Sequence, residues 1–198
     1  MTDQISIPDS EDSTFSNTLL GRRRMIAFGL GAAALALSPL KGALAALPQS
    51  GTRSLSLVST HTSEHVAATY WRDGVYDKGA LKDLNYVLRD FRTGDIATMD
   101  RHLLDLLAEL HHRTGSRKPF QIISGYRSPK TNAMLASASG GGVAKRSLHM
   151  EAKAIDIRLS DVALSDLRQA ALGMKAGGVG YYKKSDFVHV DTGRVRQW

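Results

Sequence analysis

The chain contains no cysteine in its 198 residues. That absence excludes a disulfide framework, a thiol nucleophile and any zinc site built on thiolates. It also fits an oxidising compartment, where stray thiols are a liability. No internal repeat is visible, and nothing after the first 46 residues is low-complexity, which removes repeat architectures from consideration. A long apolar run is missing as well. Residues 26–37 come nearest, but Ser38-Pro39 and Lys41 interrupt them, well short of the roughly 20 apolar residues a membrane span needs. No stable membrane span is therefore expected in the mature form.

What is present reads as one exported domain. A hydrophobic content of 42% with 23% charged residues suits a soluble globular protein, and the length suffices for one domain with a real core. Arg22-Arg23-Arg24-Met25 precedes the mild, Gly- and Ala-rich stretch 26–37, and Ala43-Leu44-Ala45 follows with small residues at signal-peptidase positions. This is the order of a secretory signal, and consecutive arginines before a weakly apolar segment resemble a twin-arginine signal. The expected organisation is an export signal over 1–46 and a single domain over 47–198, placed in the periplasm.

Residues 1–46 carry four basic and four acidic groups, so the remainder keeps the whole net charge of +7. A basic surface favours polyanions. For an exported protein the carboxylate-bearing cell-wall polymer is the expected partner, and nucleic acid is not.

Residues 55–59 alternate like a strand, and 65–71 read as its partner, with Arg72-Asp73-Gly74-Val75 as turn punctuation. Leu81, Leu84, Val87 and Leu88 have helical spacing, as do Leu103, Leu106, Leu107 and Leu110 before the stop at Gly115. Residues 120–124 form a short buried strand, Ser128-Pro129 opens a helix through Leu135, and 137–142 read as a loop. A strand at 154–159, a helix at 165–174 and a hairpin of 179–182 with 187–190 complete the pattern. Strands and helices mix without regular alternation, so the expected class is α+β, a small antiparallel sheet flanked by helices.

Chemistry concentrates in two segments, Ser147-Leu148-His149-Met150-Glu151-Ala152-Lys153-Ala154-Ile155-Asp156 and Asp186-Phe187-Val188-His189-Val190-Asp191. Period two puts Ile155 and Ile157 on one face of a strand and Asp156 on the other. Val188 and Val190 likewise oppose His189. Two such strands side by side aim a carboxylate and an imidazole into one cleft, and His149 arrives from the preceding loop. Two imidazoles and a carboxylate, with a fourth position left for water, make up a catalytic zinc site rather than a structural one. Zn2+ is therefore the expected cofactor, with His149, Asp156 and His189 as ligands. Asp191, on the face of His189, is a candidate to orient an imidazole. His61, His65, His102, His111 and His112 read as surface or helix-end residues. Trp71, Tyr126, Tyr181 and Tyr182 are candidates for either groove or core.

Ser147-x-His149 with Ala154-x-Asp156, followed by the His189 strand, resembles the zinc peptidases grouped with D-alanyl-D-alanine carboxypeptidases, lysostaphin-type enzymes and the hedgehog fold. Ser124-Gly125-Tyr126-Arg127-Ser128-Pro129, Thr131-Asn132, Gly178-Val179-Gly180-Tyr181-Tyr182 and the segment from His189 to Trp198 resemble the murein endopeptidase branch called YcbK-like or MepK-like. The resemblance runs from about Leu55 to Trp198. It implies the same three ligands, Arg127 near the substrate carbonyl or carboxylate, and Asp186 in the place of a general base three residues before the last His. Ala152 stands where such motifs usually carry glycine, and Asp186 where many carry Glu. Zinc in such a site lowers the pKa of its water to near 7 and polarises the scissile carbonyl. The expected activity is zinc-dependent hydrolysis of peptide cross-links in peptidoglycan. The alternatives are a D-amino-acid carboxypeptidase on wall peptides and a non-catalytic, zinc-containing wall-binding module.

Overall fold

Alternation of small polar and apolar residues makes β1 (Thr52–Ser59), with Leu55, Leu57 and Ser59 inward. Its hairpin partner β2 (His65–Arg72) turns through Asp73 and Gly74, both at positive φ, into the short β3 (Val75–Tyr76). This computed structural model describes residues 50–138 and 144–198. The expected export signal over 1–46, and residues 139–142 of the expected loop, lie outside them.

Helix α1 (Lys78–Val87) starts where the Asp77 carboxylate accepts a hydrogen bond from the Ala80 N–H at 2.9 Å, satisfying a donor that the first turn leaves unpaired. Helix α2 (Arg101–Thr114) is capped in the same way by Asp100. His111, His112 and Arg113 occupy its last turn, where cations complement the helix dipole, and Gly115 ends it at φ 65°. After β4 (Phe120–Ser124), Ser128 caps α3 (Pro129–Ala138) by accepting from the Thr131 N–H. The helix runs past Leu135 because Ser137 and Ala138 continue it, the Ser137 hydroxyl bonding back to the Met134 carbonyl. A short 3-10 turn over Leu148–Glu151 leads into β5 (Ala154–Arg158), then α4 (Leu164–Met174), β6 (Gly178–Tyr182), β7 (Phe187–Asp191) and β8 (Arg196–Gln197).

The α+β class is as expected, but the sheet is larger and mixed. Its order is β3-β2-β1-β4-β5-β7-β6-β8, with β1–β4 and β6–β8 parallel and the other pairs antiparallel. The β1–β4 pair arises from a long connection, since α1 and α2 lie between β2 and β4 and such a return lets a strand enter in the same sense; β8 instead follows the antiparallel β7 after a short connection and lies on the other side of β6. β8 is too short to show as a periodic pattern.

Ile155, Ile157, Val188 and Val190 join Leu103, Leu107 and Leu167 in one buried core. α2 packs on β1 and α4, and α4 packs on β6 and β7. With their aliphatic face fixed in the core, the central strands present their alternate residues on the opposite face, and the site forms there.

Candidate metal centre

Register across the sheet sets the site out as a row. Ser124 on β4 pairs with Asp156 on β5, Asp156 with His189 on β7, and His189 with Gly180 on β6. His149 enters above the row from the 3-10 turn, whose entry is capped by Ser147 and whose exit at Ala152 adopts φ 55°. An alanine in the left-handed region is strained by roughly 1–2 kcal/mol. Its methyl is buried, and its backbone bonds both ways, from its N–H to the His149 carbonyl and from its carbonyl to the Asp100 N–H. The position that such motifs usually give to glycine is therefore a tight turn held by its surroundings.

Both imidazoles are fixed by hydrogen bonds on the side away from the cluster. His149 Nδ1 lies 2.8 Å from the Gly125 carbonyl oxygen. A carbonyl only accepts, so Nδ1 carries the proton and Nε2 keeps its lone pair. His189 Nε2 lies 3.0 Å from Asp191 Oδ2, which by the same reasoning aims Nδ1 of His189 into the cluster. Asp191 is itself saturated. It accepts from the Gly178 and Gly193 N–H groups and from both terminal nitrogens of Arg196. Burial alone would push its carboxyl up; the bonds from His189, Arg196 and the two backbone amides prevail and hold it below the usual carboxylate range.

The three inward atoms lie close together. His149 Nε2 is 3.2 Å from His189 Nδ1 and 3.3 Å from Asp156 Oδ1, and His189 Nδ1 is 2.8 Å from the same oxygen. All three residues are buried. Burial raises the Asp156 carboxyl, but His149 and His189 outweigh it and keep the group ionised. At these distances the two inward nitrogens and the carboxylate are held together either by protons on the nitrogens, which is how His149 and His189 lower the Asp156 pKa without a metal, or by a cation between them. Ligand atoms around a tetrahedral metal with bonds of about 2.0–2.1 Å stand about 3.3 Å apart, close to two of the three separations here. The donor set and its spacing fit a divalent cation of the zinc type, and among the described residues this is the one such cluster of His, Asp and Glu.

Arg127 flanks the cluster. Gly125 brings the chain so close to the Leu88 carbonyl that a side chain there would collide with it, and the Tyr126 N–H donates to that carbonyl at 2.8 Å. The bend delivers Arg127, whose Nη2 donates to Ser124 Oγ at 3.2 Å and lies 3.6 Å from Asp156 Oδ2. Burial lowers its pKa, partly offset by Asp156. Its Nε is buried with no partner among the described residues, and Arg127 shares the lining of a cavity of about 350 Å³ with the three cluster residues.

Residues 48–198, the whole of this architecture, match the family described as "Peptidase_M15_2: Peptidoglycan L,D-endopeptidase MepK". The chain belongs to the Peptidase_M15_2 family. It is 44% identical over 177 residues to the peptidoglycan L,D-endopeptidase MepK of Escherichia coli (strain K12), covering 89% of this chain and 96% of that protein. The Shigella flexneri protein of the same name is equally similar. A probable peptidoglycan L,D-endopeptidase MepK of Haemophilus influenzae is 37% identical over 171 residues, 85% of this chain and 91% of that one.

In this member of Peptidase_M15_2 the fifth expected site residue, Asp186, stands apart from the other four. The turn its position requires is present, with Asp186 at φ 53° closing a 3-10 turn over Lys183–Ser185. Its carboxylate, however, is 62% exposed and paired with Arg158 Nη1 at 2.9 Å. Ser185 and Phe187 line the cavity, but Asp186 does not. Of the aromatic candidates, Tyr182 lines the cavity and Trp71 is in the core. Tyr126 and Tyr181 are partly buried against that core. His61 stacks on Phe91, and His111 bonds the Lys118 carbonyl beyond its helix end.

Sequence reasoning did not single out the Gly125 carbonyl that sets the His149 tautomer, nor Asn132, whose side-chain amide donates to the Ala144 and Lys145 carbonyls and ties α3 to the segment before His149. A backbone acceptor leaves no trace in residue type. Asn132 stands out in the sequence only as part of the Thr131-Asn132 pair.

Proposed function

We propose that this protein is a zinc-dependent peptidase that hydrolyses peptide cross-links of bacterial peptidoglycan. His149 Nε2, Asp156 and His189 Nδ1 are its metal ligands. The observation that carries this reading is the ring geometry: each imidazole is hydrogen-bonded on its outer nitrogen, to Gly125 or Asp191, which turns the other nitrogen onto one carboxylate at ligand-to-ligand spacing. Bound zinc supplies Lewis acidity, making a water acidic and polarising a carbonyl.

The protein's own groups do the rest. Asp191 holds the His189 ring in its tautomer, and the Gly125 carbonyl does the same for His149. The Arg127 guanidinium, beside Asp156 in the cavity wall, stabilises negative charge developing on the substrate carbonyl oxygen or holds a substrate carboxylate. Asp186 is assigned the transfer of a proton from the attacking water to the leaving amine for its place three residues before His189 and between Ser185 and Phe187, which line the cavity; the role requires its carboxylate to give up Arg158. Asp191 is excluded from that task by its filled lone pairs, and exposed Glu151 is paired with Lys153.

The cavity lining supports an anionic peptide as substrate. Arg127, Arg146 and Arg196 contribute three guanidinium groups, against Asp156 as the one carboxylate. Wall peptides carry free carboxylates, and the relatives named above are peptidoglycan L,D-endopeptidases. The protein acts in the periplasm, with 1–46 as a twin-arginine-type export signal and 47–198 as the peptidase domain. No helix among the described residues is long and apolar enough to cross a membrane.

The test is digestion of purified cross-linked muropeptides followed by mass spectrometry. Appearance of two uncross-linked peptides, abolished by chelation, is the expected result. Release of a terminal D-amino acid alone would identify a carboxypeptidase instead, and no product with zinc-loaded protein would leave a binding module.

A further inference from the structure

Gly180 ends the row Ser124–Asp156–His189–Gly180, and an aromatic ring occupies the place of its missing side chain. β8 runs parallel to β6 with Gly178 opposite Arg196 and Val179 opposite Gln197, so the next residue, Trp198, extends the row by one position. Its backbone continues the ladder, donating to the Val179 carbonyl and accepting from the Tyr181 N–H at 3.0 Å. A Cβ on Gly180 would lie 2.7–2.9 Å from three atoms of the indole, so glycine at this position makes the seat for the ring. The indole Nε1–H donates to the Tyr182 hydroxyl at 2.8 Å, and the ring centroid is 5.2 Å from that of His189.

The ring is fixed on several sides and still open. Trp71, the other tryptophan, is 3% exposed within the core, whereas Trp198 is 48% exposed and lines the cavity beside Tyr182 and Phe187. A large apolar surface left uncovered but held in one orientation costs little entropy when a ligand covers it. The aromatic wall and the Arg127 guanidinium line the same cavity as the donor cluster.

We infer that Trp198, seated on Gly180 and oriented by Tyr182, is a specificity-determining wall of this cavity. Its indole packs against the aliphatic stem or amide plane of a peptide whose carboxylates the cavity's guanidinium groups hold. The inference rests on the peptidase reading for its substrate, but not for its contact.

Steady-state hydrolysis of a purified cross-linked muropeptide dimer by the zinc-loaded protein tests it, with Trp198→Ala, Trp198→Phe and Gly180→Ala compared with the unaltered protein. The expected result is a rise in KM of about tenfold for Trp198→Ala, as loss of one stacked aromatic contact implies. kcat should stay within about threefold, as removal of binding common to ground and transition states requires. Zinc content should be unchanged, Trp198→Phe should recover most of the affinity, and Gly180→Ala should behave like Trp198→Ala by displacing the ring. An unaltered KM in Trp198→Ala, or a loss confined to kcat together with zinc, would overturn the inference, since the ring would then only support His189. If the unaltered protein does not hydrolyse the dimer, the peptidase reading fails and fluorescence decides the contact separately. The same dimer should change the tryptophan emission of the unaltered protein and not that of Trp198→Phe, whose remaining Trp71 is buried. No change in either would refute the wall.

Discussion

Replacing Asp191 with asparagine should weaken metal binding without touching a ligand. In the native arrangement Oδ1 accepts from the Gly178 and Gly193 N–H groups at 3.0 and 2.8 Å, and Oδ2 accepts from His189 Nε2 at 3.0 Å and Arg196 Nη2 at 2.7 Å. An asparagine keeps one acceptor, and two backbone donors compete to hold it at the Oδ1 position. The amide nitrogen then faces His189, where donor would meet donor. The imidazole relieves this by moving its proton to Nδ1, the nitrogen that the metal needs. Loss of such an orienting partner typically costs 10–100-fold in affinity, or about 1.4–2.7 kcal/mol. Arg196 loses a charged partner, but its side chain is 30% exposed and rehydrates, so the metal-free protein should lose only about 1–3 kcal/mol of stability. Competition with a chromophoric chelator measures the first quantity, and urea unfolding of the metal-free protein measures the second. Asp191→Asn protein that binds zinc within twofold of the unaltered affinity, while losing stability as expected, would refute the tautomer argument.

Arg127→Lys should reduce kcat by about a hundredfold with zinc content and melting unchanged, because an ammonium cannot reproduce the guanidinium geometry; kinetics and metal analysis check it. Asp186→Asn should retain zinc and lose about 10²–10⁴-fold in turnover if the carboxylate moves the proton, and full activity would pass that role to another group. Asp90 is a pH probe at the entry to α3. Burial pushes its carboxyl up, but hydrogen bonds from Thr131, Ser128 and Arg92 prevail and bring it down to about 2. A depressed folded pKa stabilises the fold above the unfolded value near 3.9, and the benefit disappears as pH falls toward 2. Asp90→Asn should therefore lack on the order of 2 kcal/mol of the acid-dependent part of stability, seen as a flatter urea-unfolding profile between pH 4 and 2.

Much of the centre was legible because strand period two is a strong signal. Ile155 and Ile157 against Asp156, and Val188 and Val190 against His189, settled which face carries chemistry before the pairing of the strands was known. What sequence pattern could not supply was cross-strand neighbourhood. Asp186 has the three-residue offset and the turn expected of it, yet it faces Arg158, which sits two residues beyond Asp156 on the adjacent strand. Nothing local announces that pairing. The parallel pair β6–β8 was invisible for a related reason: two residues are too few to show a period, so the seat of Trp198 on Gly180 appears only once the sheet is assembled. The left-handed Ala152 falls where such motifs usually place glycine, the residue that adopts this conformation without strain.

The most direct test of the central claim is digestion of purified sacculi by the full chain after chelation and after zinc is restored. Solubilised, uncross-linked peptides should appear with the zinc-loaded protein and none after chelation, with full recovery on readdition of zinc and no recovery in His149→Ala. Digestion that persists in metal-free protein, or in His149→Ala at the unaltered rate, would contradict that claim.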